Sequence, residues 1–338
     1  MIRDAIITLV LKQSLTFEQA SGAMEEIMDG EATPAQIAAF ITALNMKGET
    51  AEEIAGLATV MLARATPVMT TSPTIDVVGT GGDGSGSFNI STTAAFVVAG
   101  TGFKVAKHGN RAASSPCGSA DVLEALGVTI ELKPEAVSEC IDSVGIGFMF
   151  APAFHPAMRH AASPRREIGI RTVFNILGPL TNPARAEHML LGVPSEALGN
   201  KIAAVLHRLG TRHSLVVHSR DGMDEISISG PSVVWDVTDE PLSEPYEVFP
   251  YHFGFQKAPQ DELKGGTPKE NAAVLRRILS GEKGTLRNVI VMNAAAALVA
   301  GNLTEDLNEA ARLAEDSIDS GRATEKVDKL IEISRKLG

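Results

Sequence analysis

Aromatic side chains are scarce in this chain, 4% of 338 residues with one Trp and two Tyr. Small aliphatics must therefore carry the packing, and hydrophobic residues still reach 44%, the composition of helix-rich α/β proteins. Cysteine is nearly absent. Cys117 and Cys140 alone cannot build a disulfide framework or a zinc site, and they favour a reducing, cytoplasmic setting. No apolar run approaches the ~18 residues of a membrane span, and Met1-Ile2-Arg3-Asp4 does not open like a secretory signal. Positive charge is in deficit, 30 Lys and Arg against 41 Asp and Glu, for a net charge of −11. That balance argues against general binding to nucleic acid or anionic membrane. An acidic protein that grips phosphate must concentrate positive charge locally or recruit a metal. Fixed-period repeats and low-complexity tracts are missing too, while the length allows two domains.

The first seventy residues read as helices. Thr16 with Gln19, Thr33 with Gln36, and Thr50 with Glu53 form three successive capping boxes, and Pro34 suits a first helical position. Ile37, Phe40, Ile41 and Leu44 recur at helical spacing. The stretch from Thr66 to Pro73 reads as a linker. From Thr74 the pattern changes to short apolar strands at Ile75–Val78, Lys104–Ala106, Gly147–Ala151, Met189–Val193, Ser214–Val217 and Ile226–Ser229. Helical patterns fall between them at Ala120–Leu126, Glu135–Ser143 and Leu198–Leu209, which predicts a largely parallel sheet covered by helices. Beyond Pro241 only Met292–Ala300 and Asp306–Ser317 read as helical.

The most informative stretch is Gly79-Thr80-Gly81-Gly82-Asp83-Gly84-Ser85-Gly86-Ser87-Phe88-Asn89-Ile90-Ser91-Thr92. It joins the strand Ile75–Val78 to a helical pattern beginning near Ala94. Its glycines let backbone N–H groups approach one ligand closely, and the hydroxyls and amide gather at the positive end of a helix dipole. That order of strand, glycines, polar cluster and helix grips phosphate. It is neither a Walker A loop nor a clear dinucleotide fingerprint.

Other chemistry-bearing groups follow. Lys107-His108-Gly109-Asn110-Arg111-Ala112-Ala113-Ser114-Ser115 ends the strand Lys104–Ala106, and strand ends are where open α/β sheets bind ligands. Ser119 stands where it can cap the helix Ala120–Leu126. Asp224 and Glu225, in a turn after Leu215–Val217, are oxygen ligands of the kind that suit Mg²⁺ shared with phosphates. Arg165, Arg166 and Arg171 surround Glu167, ahead of an ordered loop from Phe174 to Pro183. Arg165 can hold a carboxylate bidentately.

Taken together, these segments closely resemble the anthranilate phosphoribosyltransferase family of tryptophan biosynthesis. The matching runs are Gly79–Gly84, Phe88–Thr92, Lys107–Arg111, Gly118–Gly127, Gly169–Pro183 and Asp224–Glu225, in family order across essentially the whole chain. The resemblance implies a small helical domain, residues 1–72 with a segment near 170–186 returning to it, and a large α/β domain, residues 73–338. It implies a homodimer through the helical domains and an active site between the two domains. Ser87 stands where the family usually has threonine, Pro116 where it is often basic, and Ser163-Pro164 replaces the usual Pro and small aliphatic.

The resemblance also implies roles. Gly79, Gly82, Asp83, Ser87, Asn89, Ile90, Ser91 and Thr92 would cradle the diphosphate and ribose of 5-phosphoribosyl 1-diphosphate. Lys107, His108, Gly109, Asn110, Arg111, Ala112, Ala113, Ser114, Ser115 and Ser119 would complete that site. Gly79, Asn110 and Arg165 would hold anthranilate, and Ser91, Asp224 and Glu225 would bind two Mg²⁺ ions. No residue reads as a covalent nucleophile. The alternatives are a pyrimidine nucleoside phosphorylase-like enzyme and a non-catalytic phosphoribosyl-binding relative. The first lacks a Lys-His-Gly-Asn run with an Asp-Glu pair, and the second should have lost the loop or the pair.

Overall fold

All three sequence-predicted capping boxes form. In the computed structural model, which describes residues 1–112 and 116–338, four helices open the chain: α1 (Ile2–Val10), α2 (Phe17–Met28), α3 (Pro34–Lys47) and α4 (Ala51–Ala63). The hydroxyls of Thr16, Thr33 and Thr50 accept the N–H three residues on, and Gln19, Gln36 and Glu53 accept the threonine N–H in return. Each cap contributes about 1 kcal/mol by satisfying orphan donors. The linker after α4 is tacked down at its start. Thr66 N–H donates to Phe154 O at 2.8 Å and Val68 N–H to Pro183 O at 3.1 Å.

Among the described residues seven strands follow: β1 (Ile75–Gly79), β2 (Val105–Gly109), β3 (Ile146–Phe150), β4 (His188–Gly192), β5 (His213–Ser219), β6 (Ser232–Val237) and β7 (Tyr246–Val248). They form one sheet in the order β3-β2-β1-β4-β5-β6-β7. The first five in that order are parallel, and β6 and β7 close the edge antiparallel. Connecting and covering helices are α5 (Ile90–Gly100), α6 (Ser119–Leu126), α7 (Pro134–Val144), α8 (Ala151–Phe154), α9 (Arg159–Ile168), α10 (Phe174–Leu177), α11 (Glu196–Leu209), α12 (Pro268–Leu279), α13 (Thr285–Ala300), α14 (Leu307–Asp319) and α15 (Arg322–Leu337).

Strand alternation divides the molecule into two cores. Leu190, Leu215, Val217 and Val234 bury on one face with α5, α7, α13, α14 and α15. Met189, Leu191, Val216, Val233 and Trp235 bury on the other with α11 and the α1–α4 bundle. Val173, Phe174, Leu177 and Leu180 join that second core, so the chain returns to the helical layer halfway along. The architecture is a small helical domain on a large α/β domain with a mostly parallel sheet.

Two expectations need correction. Ile226–Ser229 is not a strand: side chains satisfy its backbone instead of a neighbouring ladder. Asn293 of α13 donates to Ile226 O and accepts its N–H, both at 2.9 Å, and Ser232 Oγ accepts Ser227 N–H at 3.0 Å. The stretch from Phe174 is not wholly loop, since α10 makes one helical turn there.

Candidate functional site

The strand order reverses at β1. The chain leaves it for β2 and β3 on one side and returns as β4 on the other, where Gly79 pairs in register with Gly192. Ligands of open α/β sheets bind at such switch points, outside the carboxyl ends of the strands. The glycine loop starts there. Gly81, Gly82, Gly84 and Gly86 all have φ between +64° and +80°, a region few side chains tolerate. Past the loop, Gly265 N–H donates to Gly86 O and Phe88 N–H to Leu263 O, so the segment before α12 straps the loop's far end.

The acidic pair sits under this loop, not on a solvated turn. Asp224 is 8% exposed and Glu225 9%. Gly79 and Gly192 make the room: a Cβ at Gly192 would lie 1.5 Å from Asp224 O, and one at Gly79 2.5 Å from Asp224 Oδ2. Gly81 N–H donates to Asp224 Oδ2 at 2.6 Å, and Asp224 N–H reaches Asp83 Oδ2 at 3.4 Å. Burial, with the like charge of Asp83, pushes Asp224 up to about 7. Burial and Asp224 raise Glu225 well above the carboxylate range, against the opposing Lys107 charge and the Ser91 N–H at the start of α5. Asp221 anchors the turn: burial raises its pKa, but hydrogen bonds from the hydroxyls of Ser219, Ser227 and Ser229 prevail and hold it low.

Lys107 and His108 are buried. The Lys107 ammonium donates to Val77 O at 2.6 Å and lies near Asp76 and Glu225, while burial lowers its pKa. Burial raises Asp76 to about 6. Asn182 links it to β2, donating to Asp76 Oδ2 at 2.7 Å and to Ala106 O at 2.8 Å. His108 Nδ1 bonds to Gly178 O at 3.1 Å, and burial drives the ring's pKa down to about 3. His155, 5.1 Å from it between centroids, is held at about 4 by burial. Both imidazoles are neutral at pH 7.

Around this floor the expected residues divide. Arg165 is half-buried against the Phe174 ring at 5.1 Å, and no carboxylate among the described residues pairs with it. Glu167, the partner a surface ion pair would use, bonds Ser163 Oγ instead at 2.5 Å. Asn110 is exposed, and its Oδ1 accepts Arg111 N–H at 2.7 Å. Arg111 turns to Asp121 and Glu124 on α6. Ser119 is not the cap of α6. Gly118 takes that position, Asp121 accepts its N–H at 2.8 Å and that of Ala112 at 2.9 Å, and Ser119 Oγ donates to Asn110 O. The Asn89 amide is committed to the scaffold, donating to Cys117 O at 3.2 Å and accepting from Asn271 of α12 at 2.9 Å. Ala113, Ser114 and Ser115 lie outside the described residues.

Asn271, Asn293, Asp221 and Arg171 were not assigned roles from sequence. The Thr267 and Glu270 capping box marks the start of the helix that carries Asn271. Buried polar atoms without partners gather here: Thr80 Oγ1, Thr92 Oγ1, His108 Nε2, His155 Nε2 and Thr172 Oγ1. Orphaned groups at this density fit a site completed by ligand. Among the described residues no three His, Cys, Asp or Glu side chains are arranged to hold a metal by themselves. Two sequestered carboxylates short of positive charge fit a cation that takes most of its shell from water and phosphate, as Mg²⁺ does. A separate cavity of about 750 Å³ lies at the other end of β5, among His207, Arg212, His213 and Asp236, and shares no residue with this site.

The fold is that of the glycosyl transferase family: residues 3–65 match its helical bundle domain and residues 71–324 its a/b domain. Within that class the chain belongs to the anthranilate phosphoribosyltransferase family. It is 57% identical to the anthranilate phosphoribosyltransferase of Dehalococcoides mccartyi over all of this chain and 99% of that protein. The crystal structure of the Thermus thermophilus enzyme of that name superposes with a TM-score of 0.93 at 45% identity, covering 98% of this chain and 99% of that one. The Saccharomyces cerevisiae enzyme in complex with PRPP and Mg gives 0.92 at 28% identity, covering 99% and 98%. The same yeast enzyme is also known in complex with 4-fluoroanthranilate, at 0.89 and 27%, covering 99% and 98%. None of these relatives carries the name of a pyrimidine nucleoside phosphorylase.

Proposed function

We propose that the chain transfers the phosphoribosyl group of 5-phosphoribosyl 1-diphosphate to the amine of anthranilate, releasing diphosphate, in tryptophan biosynthesis. One observation carries this reading: a glycine cradle lies over a buried acidic pair at the switch point, with Arg165 on the helical layer paired to no carboxylate among the described residues. Loss of anthranilate fluorescence on mixing purified protein with the donor and Mg²⁺ tests it, and no loss would refute it.

The aromatic amine is neutral near pH 7, so positioning matters more than deprotonation. The barrier is departure of diphosphate from C1 as the ribose becomes oxocarbenium-like. Bound Mg²⁺ would supply charge stabilisation to that leaving group. Asp224 and Glu225 would hold two ions per subunit, with Ser91 beside them. The N–H groups of the loop from Gly79 to Thr92 would receive the phosphate oxygens in a site poor in water. Lys107, buried below the loop, would act as a fixed positive charge and not as an exposed phosphate ligand. Arg165 would clamp the anthranilate carboxylate, with Gly79 and Asn110 nearby. Neutral His108 and His155 would line the floor without adding charge. No covalent intermediate is needed.

The enzyme would be cytoplasmic, in keeping with its two cysteines. Its small domain would comprise residues 1–72 with the return near 170–186, and the large domain residues 73–338. A homodimer would form through the helical layer, where Ile7 and Val10 of α1, Leu11 just after it and Met46 of α3 expose apolar surface. Sedimentation of a Val10→Asp/Leu11→Asp variant checks this, with a shift from dimer to monomer expected.

A further inference from the structure

A loop that receives diphosphate, on the phosphoribosyl-transfer reading that this inference rests on, must hold its shape before the donor arrives. Gly81 and Gly82 have φ of +68° and +80°, and glycines on both sides of a peptide leave it free to flip. Something outside the loop must hold it. Arg171 does so from the segment that returns to the helical layer. Its Nη2 donates to Gly81 O at 2.8 Å and approaches Thr80 O at 3.4 Å. Its guanidinium covers the Cα of Gly82 so closely that a Cβ there would lie 1.4 Å from Nη1. No carboxylate among the described residues pairs with it. Its own backbone is pinned from α3, where Asn45 Nδ2 donates to Arg171 O at 3.0 Å.

In a planar trans peptide the C=O and the following N–H point in opposite directions. With Gly81 O turned to the guanidinium, Gly82 N–H faces the other side. The preceding peptide turns the same way, with Thr80 O toward the same guanidinium and Gly81 N–H donating to Asp224 Oδ2 at 2.6 Å, so that other side is the side of the acidic pair. Gly82 N–H has no protein partner among the described residues, so it stands as a free donor on the ligand side. We propose that Arg171 is a positioning residue of the phosphate site: it fixes the Gly81–Gly82 peptide so that Gly82 N–H stays aimed at the donor's diphosphate. It touches no substrate and acts through the loop's carbonyls. Through Asn45 it also makes the loop's geometry depend on the seating of the helical layer.

The test uses the full-length protein with Arg171→Ala, Arg171→Lys and Arg171→Gln. Calorimetry with inorganic diphosphate and Mg²⁺ reads the site without turnover, and steady-state kinetics read both substrates. Loss of one charge-assisted hydrogen bond should weaken diphosphate and raise the donor KM about tenfold in Arg171→Ala, with the anthranilate KM within about twofold of wild type. Arg171→Lys and Arg171→Gln, which still offer an N–H to Gly81 O, should recover part of that loss. Unchanged diphosphate affinity in Arg171→Ala would overturn the proposal. So would equal losses for both substrates with no rescue by either conservative variant, the mark of a general structural prop. A wild-type protein inactive toward anthranilate would refute the transfer reading, while the diphosphate titrations would still judge Arg171.

Discussion

Burying two adjacent carboxylates beside a third costs the metal-free protein stability, and Asp224 shows how much. Its pKa stands at about 7 in the fold against 3.8 ordinarily, so near pH 7 its ionised form is opposed by burial and by Asp83. Asp224→Asn/Glu225→Gln keeps shape and acceptor oxygens but removes both charges. Without divalent metal this variant should be more stable than wild type, by about 1–4 kcal/mol in urea unfolding with chelator present. Mg²⁺-dependent affinity for the donor should fall by orders of magnitude in the same variant. A destabilised variant that binds donor normally would contradict both the burial argument and the metal role. The histidine pair gives a second pH effect of known sign. His108 and His155 titrate near 6.5 when unfolded but at about 3 and about 4 in the fold. The unfolded chain therefore takes up protons first, and their stabilising share, complete above pH 6.5, is lost as pH falls toward 4. At about pH 5 each should have lost about 2 kcal/mol. His155→Asn should thus lose less stability than wild type between pH 7.5 and 5, by about that amount in urea unfolding. Asp76, raised to about 6, works in the opposite sense but is common to both proteins.

At the scale of elements, the ends of β1 and β4 are glycine because Asp224 lies against them, its carboxylate at Gly79 and its backbone at Gly192. Gly192→Ala places a methyl 1.5 Å from Asp224 O, where only backbone could yield. It should cost about 3 kcal/mol or more by thermal unfolding and displace the acidic pair, abolishing metal response. Gly81→Ala meets nothing within 4 Å and incurs only the strain of φ +68°, about 1 kcal/mol. A cost for Gly192→Ala no greater than that for Gly81→Ala would mean that the Asp224 contact does not select glycine at the end of β4, where no positive φ requires it. The five parallel strands were legible because each is a short buried apolar run between turn residues. Capping boxes gave the first helices because they are local chemistry. Ile226–Ser229 has the composition of a strand and is not one, since ladder pairing is a tertiary fact that no four-residue pattern contains. The two antiparallel strands, β6 and β7, went unread, although β6 carries the apolar run Val233, Val234 and Trp235. Helices α12 and α15 carry amphipathic patterns among many charges, and the Thr267 capping box marked the first of them. In the site, residue types were readable but depth was not: Lys107, Asp224 and Glu225 look like solvated residues until the chain closes over them.

Across the whole molecule, the donor cradle and the anthranilate clamp proposed at Arg165 come from different layers. The donor cradle is built on the carboxyl ends of β1 and β2 and on α5, while Arg165 belongs to α9, which packs on the helical bundle. Phe174, which supports the Arg165 guanidinium, is buried in the core shared with α1–α4. A change at Arg165 therefore reaches the donor site only through the packing between layers, whereas it removes the carboxylate clamp outright. Burial already lowers the Arg165 pKa, so the guanidinium is partly stripped of water and gains more from an incoming carboxylate than an exposed arginine would. Arg165→Ala should raise the anthranilate KM by an amount worth about 1.5–3 kcal/mol, roughly ten- to hundredfold, and leave the donor KM near wild type. Arg165→Lys keeps the charge but loses the two-pronged geometry, and it should fall between them. Varying each substrate separately at saturating levels of the other decides the matter. Equal losses for both substrates would mean that Arg165 holds the two layers together and is not the anthranilate clamp.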